Sequence, residues 1–476
     1  MTADNTAAEK INTSDFSQGS VRRAIVRMAI PMTVGQVVSL LYNLVDRIYI
    51  GHTENGRLAL TGIGVTLPII SIIIAFASIG STGGAPLFSM ARGSGDQKGA
   101  ARILGNTCAL MLLFGAALSI VFYIFRRPLL VLFGASPDVL PFAESYLSIY
   151  LTGSLFTTLT TGLNPFIHAQ GFRLVGMLSI VIGAVLNCLL DPVFIYLFRM
   201  GVEGAALASV LSQLCSALWV MRFLTGRRAL IRLTVKDLRP RLRTIGRVVF
   251  LGLSGFCMSL TNTLVQIVTN NALLRHGGDM YVSVMVIINA IRDLASLPAT
   301  GLNQGALPVL SFNYGARKYG RIREGIRFST WAGLLVTAVP WVFIMLFPAA
   351  FIRMFNSDPA LIELGVPAFR LHFMAFVFQI FQLVGQNVSL ALGKTRSAIF
   401  FSLLRKAFIV TPLTLILPSL WGLGADGVFL AEPVSNVAGG LACYITMLLT
   451  SYRELRKMER EASPMPESAP QKAENG

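Results

Sequence analysis

Apolar stretches recur along the chain at intervals set by short polar breaks. VTLPIISIIIAFASIG (65–80), TCALMLLFGAALSIVFYIF (107–125) and WAGLLVTAVPWVFIMLF (331–347) are examples. Each approaches the roughly 20 residues that carry an α-helix across a hydrocarbon core about 30 Å thick. None alternates polar and apolar positions as a membrane barrel strand would. Reading the runs between breaks predicts twelve spans, at 22–50, 59–90, 102–125, 141–168, 174–198, 203–225, 245–275, 280–311, 326–348, 361–391, 397–418 and 425–451. The expected fold class is an all-α polytopic membrane protein.

Composition agrees with this pattern. Of 476 residues, 54% are hydrophobic and 13% charged, and the mean hydropathy is +0.65. Soluble domains carry about 25% charge. The net charge of +17 would suggest nucleic acid in a soluble protein. Here the basic residues gather in alternate loops, so no nucleic-acid partner is expected. The opening hydrophilic segment, Met1 to about Ser20, has no cleavage-site pattern, which leaves the first span as the membrane-targeting signal. The five cysteines lie inside apolar runs without metal-like spacing and read as packing residues.

With the N-terminus placed in the cytoplasm, the inside loops hold Arg92, Lys98, Arg102, Arg173, the run from Arg227 to Arg243, Arg317 to Arg323, Lys394 and Arg396. The outside loops hold Arg57, Arg126, Arg127, Arg199 and Arg353. The positive-inside rule therefore predicts both termini in the cytoplasm. Arg126 and Arg127 are exceptions, explained at this level by interfacial snorkelling. The basic segment GRRALIRLTVKDLRPRLRTIG reads as a linker lying on anionic lipid headgroups.

An internal repeat divides the chain. Pro86, Ser89 and Gly93 recur as Pro308, Ser311 and Gly315, each 222 positions later. The same offset carries AQG (169–171) onto ALG (391–393), and a slip of one residue carries GVEGAALA (201–208) onto GADGVFLA (424–431). Six spans per repeat is an even number, so both copies insert the same way. The expectation is two six-helix lobes related by a pseudo-two-fold axis along the membrane normal. Boundaries follow: a cytoplasmic tail at 1–21, an N-terminal lobe at 22–225, a basic cytoplasmic linker at 226–244, a C-terminal lobe at 245–451 and a cytoplasmic tail at 452–476.

One span carries unusual chemistry. In NCLLDPVFIY (187–196), an Asn, an Asp and a Pro interrupt an apolar run. An Asp at a span centre costs roughly 2.5–3.5 kcal/mol on insertion scales. Asn187 and Asp191 are four apart and share a helix face. Together they offer oxygen ligands for a hard cation, or an acceptor cluster for a proton. Pro192 frees a carbonyl near position 188 and favours a bend. Span directions put Asp46, Asp191 and Ser209 in the outer half of the N-terminal lobe, so these three with Asn187 form a candidate site for Na⁺ or H⁺. The choice between the two ions stays open. The carboxylates are not repeated in the C-terminal lobe, where Asp46 maps to Val268. Its polar residues Gln266, Asn270, Arg292, Asp293, Arg370 and Glu432 read as contacts between helices, and His168 and His372 as structural.

Several motifs in order resemble the multidrug and toxic compound extrusion (MATE) family: YNLVDRIYIG (42–51), the paired loops ending in ARGSGD and FNYGAR, the AQG turn, NCLLDP (187–192) and GVEGAALASVLSQ (201–213). The resemblance spans residues 20–450. It implies a V-shaped exporter of amphipathic, often cationic compounds, driven by a Na⁺ or H⁺ gradient through alternating access. It also implies coupling roles for Asp46, Asn187 and Asp191, with Ser209 where Thr is common. Cavity-lining roles follow for Tyr42, Tyr146 and Asn164, and a conformational role for the first-span proline, Pro31. A monomer in the inner membrane of a bacterium is expected, without cofactor beyond the coupling ion. No P-loop, zinc motif or nucleophile elbow supports an enzyme. The rival reading is a flippase for a lipid-linked saccharide. Such a cavity should present several intramembrane arginines, and in this sequence they read as sparse.

Overall fold

The computed structural model describes residues 15–53, 56–420 and 422–462, so most of the N-terminal tail and the end of the C-terminal tail lie outside the described residues. Among the described residues, eleven helices are long and apolar enough to cross a membrane: α1 Val21–Gly51, α2 Gly56–Gly93, α3 Gln97–Leu132, α5 Arg173–Leu197, α6 Val202–Thr225, α7 Leu242–Gly277, α8 Asp279–Gly315, α9 Tyr319–Leu346, α10 Pro359–Ala391, α11 Thr395–Ser419 and α12 Ala425–Glu461. The fourth crossing, α4, consists of two shorter helices, Leu140–Thr152 and Ser154–Ala169, separated at Gly153. A side chain at Gly153 would meet Val210 of α6 at 2.7 Å, so this position needs a glycine where the two helices press together.

The predicted boundaries shift in places. α3 runs through Arg126 and Arg127 to Leu132. Arg126 pairs with Glu144 at 3.1 Å and lies 4.4 Å from the Tyr123 ring centre. α12 continues ten residues past 451 to Glu461, and Glu454 on this extension pairs with Lys394 at 2.5 Å.

The sequence repeat recurs in the backbone. Gly201 and Gly424, which precede α6 and α12, have φ/ψ of 56/−125° and 53/−130°. Only glycine holds this conformation without strain. Gly171 and Gly393 before α5 and α11 have φ of 89° and 68°, and Gly95 and Arg317 after α2 and α8 have φ of 80° and 56°.

The lobes interlock at one end. The first half of α1, from Val21 to Met32, packs with α8, α9 and α10 in one apolar core. Val248 and Leu251 of α7 in turn belong to the core built by α2, α3, α4 and α6. Glycines make these crossings possible. A Cβ on Gly83 of α2 would meet the Val248 carbonyl at 2.1 Å, and one on Gly305 of α8 would meet the Ala29 nitrogen at 2.6 Å. Phe16 and Leu455 share a core, so both described ends of the chain lie at this same end of the bundle.

The basic segment between the lobes is packed rather than free. Ala229, Ile231 and Leu233 are buried, while Arg228, Leu230, Arg232 and Thr234 between and beside them are exposed. This alternation is that of an extended chain lying on a surface. Gln170 accepts the Ile231 amide at 3.0 Å. Asn106 of α3 donates to the Asp237 and Arg239 carbonyls at 3.1 and 3.2 Å and accepts the Arg241 amide at 2.7 Å. The basic side chains from Arg227 to Arg243 are all exposed.

Candidate ion and substrate site

Helices α1, α2, α4, α5 and α6, with α8 at one edge, enclose a cavity of about 640 Å³. Its charged lining residues, Asp46 and Arg47, come from α1, and amide side chains reach it from α1, α4, α5, α6 and α8. Asn187 and Asp191 stand one helical turn apart on α5 and are both buried. The Asn187 amide donates to Asp191 Oδ1 and to Ser209 Oγ of α6, each at 3.4 Å. Asp46 of α1 comes within hydrogen-bonding reach of Asp191. The four residues of the candidate coupling site thus meet at one place, although α1 is far from α5 and α6 in the chain.

The donor set at this place is incomplete. Asp46 Oδ1, Asn187 Oδ1 and Asp191 Oδ2 are buried oxygens without a hydrogen-bond donor. Three such acceptors on neighbouring residues suit a hard monovalent cation or a proton. Arg47 follows Asp46 and lines the same cavity, yet it is exposed and forms no ion pair among the described residues. The described residues hold no group of three or more His, Cys, Asp or Glu side chains of the kind a transition metal needs.

Pro192 ends the regular part of α5. The following turn, Val193–Leu197, is π-helical, and the predicted bend takes the form of this wider turn. Pro31 lies buried inside α1, which stays helical from Val21 to Gly51.

Tyr42, Tyr146 and Asn164 all line the cavity. The Tyr146 ring stacks on Tyr150, with centroids 6.0 Å apart, and its hydroxyl lies beside Ser209. Asn164 sits on the second half of α4, and its Oδ1 has no partner. Sequence reasoning missed further lining residues, Gln36, Gln304 and His168 among them. Gln36 and Gln304 join α1 to α8 across the cavity edge through a 2.8 Å hydrogen bond. His168, read as structural, faces the cavity, and its Nδ1 has no partner. The helical spacing Asn164–His168 was the available signal.

Comparison with known proteins decides the family. The MatE family model matches residues 31–193 and again 256–416, once in each lobe. The chain is a MATE family transporter. As such it carries out transport and not enzymatic chemistry. This MATE chain is 22% identical over 438 residues to the multidrug export protein MepA of Staphylococcus aureus (strain NCTC 8325 / PS 47), covering 90% of the chain and 95% of the relative. The MepA protein of Staphylococcus haemolyticus (strain JCSC1435) is also 22% identical, over 408 residues, covering 86% and 89%. Among solved structures, an outward-facing multidrug resistance MATE transporter of the MOP superfamily superposes with a TM-score of 0.87 at 22% identity, covering 94% of this chain and 98% of the other. A MOP superfamily transporter from Pyrococcus furiosus, described as having a binding pocket of reverse polarity, gives a TM-score of 0.87 at 23% identity, covering 94% and 98%.

The C-terminal lobe of this MATE transporter corrects the sequence reading. Intramembrane cations are not sparse there. Arg405 and Lys406 lie inside α11 and bond to Glu432 of α12 at 3.2 and 2.9 Å. The dipeptide RK within FFSLLRKAFIV was the visible signal. Arg292 is neutralised locally by Asp293 at 3.0 Å.

Proposed function

We propose that this transporter exports amphipathic organic cations across the inner membrane of a bacterium in exchange for Na⁺ or H⁺. The observation that carries the reading is the set of three undonated oxygens on Asp46, Asn187 and Asp191, the first two of which belong to the wall of a cavity large enough for a small organic molecule. Asp46 in the cavity wall, with the buried Asp191 within its reach, attracts a positive charge with little screening. The same oxygens serve the coupling ion and the substrate in turn, so occupancy by one excludes the other. That competition is the minimum requirement for exchange. Tyr42, Tyr146 and Asn164 supply aromatic faces and a hydrogen-bonding amide for the bound compound.

Alternating access follows from the interlocked end of the bundle. Outward release requires the α2 and α8 ends near Gly93 and Gly315 to be shut, as they are here, and uptake requires them to part. Pro31 in α1 and the π turn after Pro192 in α5 are the positions where helices bordering the site change shape. Both termini lie in the cytoplasm, where the exposed arginines of the 226–244 segment rest on anionic headgroups. The chain works as a monomer of two lobes, 22–225 and 245–451. A flippase reading gains no support in this cavity, whose single arginine is Arg47.

The deciding experiment is reconstitution in vesicles. A Na⁺ gradient and a pH gradient are imposed separately while a fluorescent organic cation is followed. Efflux driven by one gradient and collapsed by its ionophore is expected. Dye movement indifferent to both gradients overturns the antiport reading.

A further inference from the structure

The C-terminal lobe lacks a copy of the Asp46–Asp191 pair, yet the repeat register sets other charges on the equivalent ground. An offset of 222 relates α5 to α11, and one of 223 relates α6 to α12. Gly183 then corresponds to Arg405, Ala184 to Lys406, Ser209 to Glu432 and Gln213 to Asn436. All four residues of the N-terminal lobe line the cavity. Their four counterparts are bonded to one another instead. Lys406 Nζ donates to both Glu432 oxygens, at 2.9 and 3.1 Å. Arg405 Nη1 donates to Glu432 Oε1 at 3.2 Å and also to Asn436 Oδ1. Ser435, the counterpart of cavity-lining Ser212, donates to the Arg405 carbonyl at 3.1 Å. Lys406 and Glu432 are each 8% exposed and Asn436 is 2% exposed.

Local backbone makes this clustering possible. Consecutive residues of an α-helix point about 100° apart and rarely reach one acceptor. Over Leu404–Val410 the chain takes a π-helical course, and Arg405 and Lys406 both reach Glu432.

We propose that Arg405 and Lys406 are tethered cations that permanently occupy Glu432, the C-terminal lobe's counterpart of the ion-site residue Ser209, from positions equivalent to the cavity-lining Gly183 and Ala184, confining the exchangeable cation to the N-terminal lobe. This rests on the reading of the Asp46–Asp191 site given above. In the N-terminal lobe, Gly183 and Ala184 put no cation on the cavity wall, and three acceptor oxygens further along the site have no donor. In the C-terminal lobe, a guanidinium and an ammonium stand at those positions, and both Glu432 oxygens are engaged. Cations attached to the chain cannot leave, so this half contributes no exchange. Arg405 and Lys406 are therefore specificity-determining residues: they set where a mobile cation can bind and where it cannot.

The test vacates the position. Arg405→Gly with Lys406→Ala installs the residues found at Gly183 and Ala184. The purified variant is melted in detergent with increasing methylguanidinium or ethylammonium, and with methylurea as the neutral isostere. The expected result is a melting temperature below wild type that rises saturably with either cation and not with methylurea. Wild type should not respond, and adding Glu432→Ser should abolish the response. A folded variant indifferent to cations, or rescued equally by methylurea, overturns the proposal. If the double variant cannot be recovered folded, Lys406→Ala with ethylammonium is read by the same criteria. Repeating the titration in an Asp191→Asn background separates the two readings. Rescue that persists there stands even if exchange at the N-terminal lobe is disproved.

Discussion

Gly93 and Gly315, equivalent positions of the two repeats, are pressed against each other's helices where α2 and α8 end. A Cβ on Gly93 would come within 1.9 Å of the Phe312 carbonyl oxygen, and one on Gly315 within 1.9 Å of that of Met90. The obstruction on each side is backbone, which no side-chain rotation can relieve. Small residues permit such contact between membrane helices. Arg92 covers the crossing, 5.2 Å from the Phe312 ring centre. Substituting Gly93→Val or Gly315→Val should hold these ends apart. Thiol labelling of a cysteine placed at Ser89 should then rise from the cytoplasmic side, and efflux should fall to background. Unchanged labelling and efflux would show that the crossing is not a gate.

The carboxylates of the two lobes should respond in opposite ways to neutralisation. Asp191 forms no ion pair among the described residues; its neighbours are Asn187 and Asp46. Asp191→Asn removes a buried charge without stranding a cation. Stability in detergent should hold or rise while gradient-driven efflux is lost. A stable Asp191→Asn variant with full efflux removes this residue from the mechanism.

Glu432→Gln strands Arg405 and Lys406 together. Breaking a buried pair from one side typically costs about 3–5 kcal/mol. A marked drop in thermal stability is expected, visible in a melting curve before any transport assay. A melting temperature equal to wild type would contradict the bonding described for this cluster.

Asn106→Ala tests the attachment of the linker. It removes three hydrogen bonds to the backbone of residues 237–241, each worth about 0.5–1.5 kcal/mol net. Trypsin should cleave at Arg241 and Arg243 several-fold faster than in wild type, since cleavage needs a locally open chain. Equal cleavage rates would mean that the linker is held elsewhere.

Substrate charge provides a last test. Matched cationic and anionic dyes of similar size should be exported unequally, with the cation favoured, because Asp46 in the cavity wall has the buried Asp191 within its reach, two carboxylates against the lining Arg47. Equal rates would argue against a carboxylate-dominated site.

The spans were readable in the sequence because membrane crossing demands about 20 apolar residues in a row. The constellation of Asp46, Asn187, Asp191 and Ser209 was readable because charges inside such runs are costly and stand out. The break in α4 was not. A lone glycine signals little, and the pressure on Gly153 comes from Val210, 57 residues later. Arg405 and Lys406 passed unnoticed among apolar neighbours because their partner, Glu432, lies on the next helix. The exchange of the α1 and α7 halves between cores has no periodic signature, since each remains an ordinary apolar helix.

That exchange has a consequence for biogenesis. The chain leaves the ribosome N-terminus first, but the core of its first half contains Val248 and Leu251 of α7. The early half of α1 belongs to a core whose other walls, α8 to α10, are made later still. Neither lobe can finish folding at the translocon before synthesis has passed the middle of the chain. The basic segment clasped by Asn106 then sits where the growing polypeptide must turn back on itself. Two halves expressed as separate polypeptides, cut at that segment, would each insert with unfinished packing, and each would need the other to complete its fold.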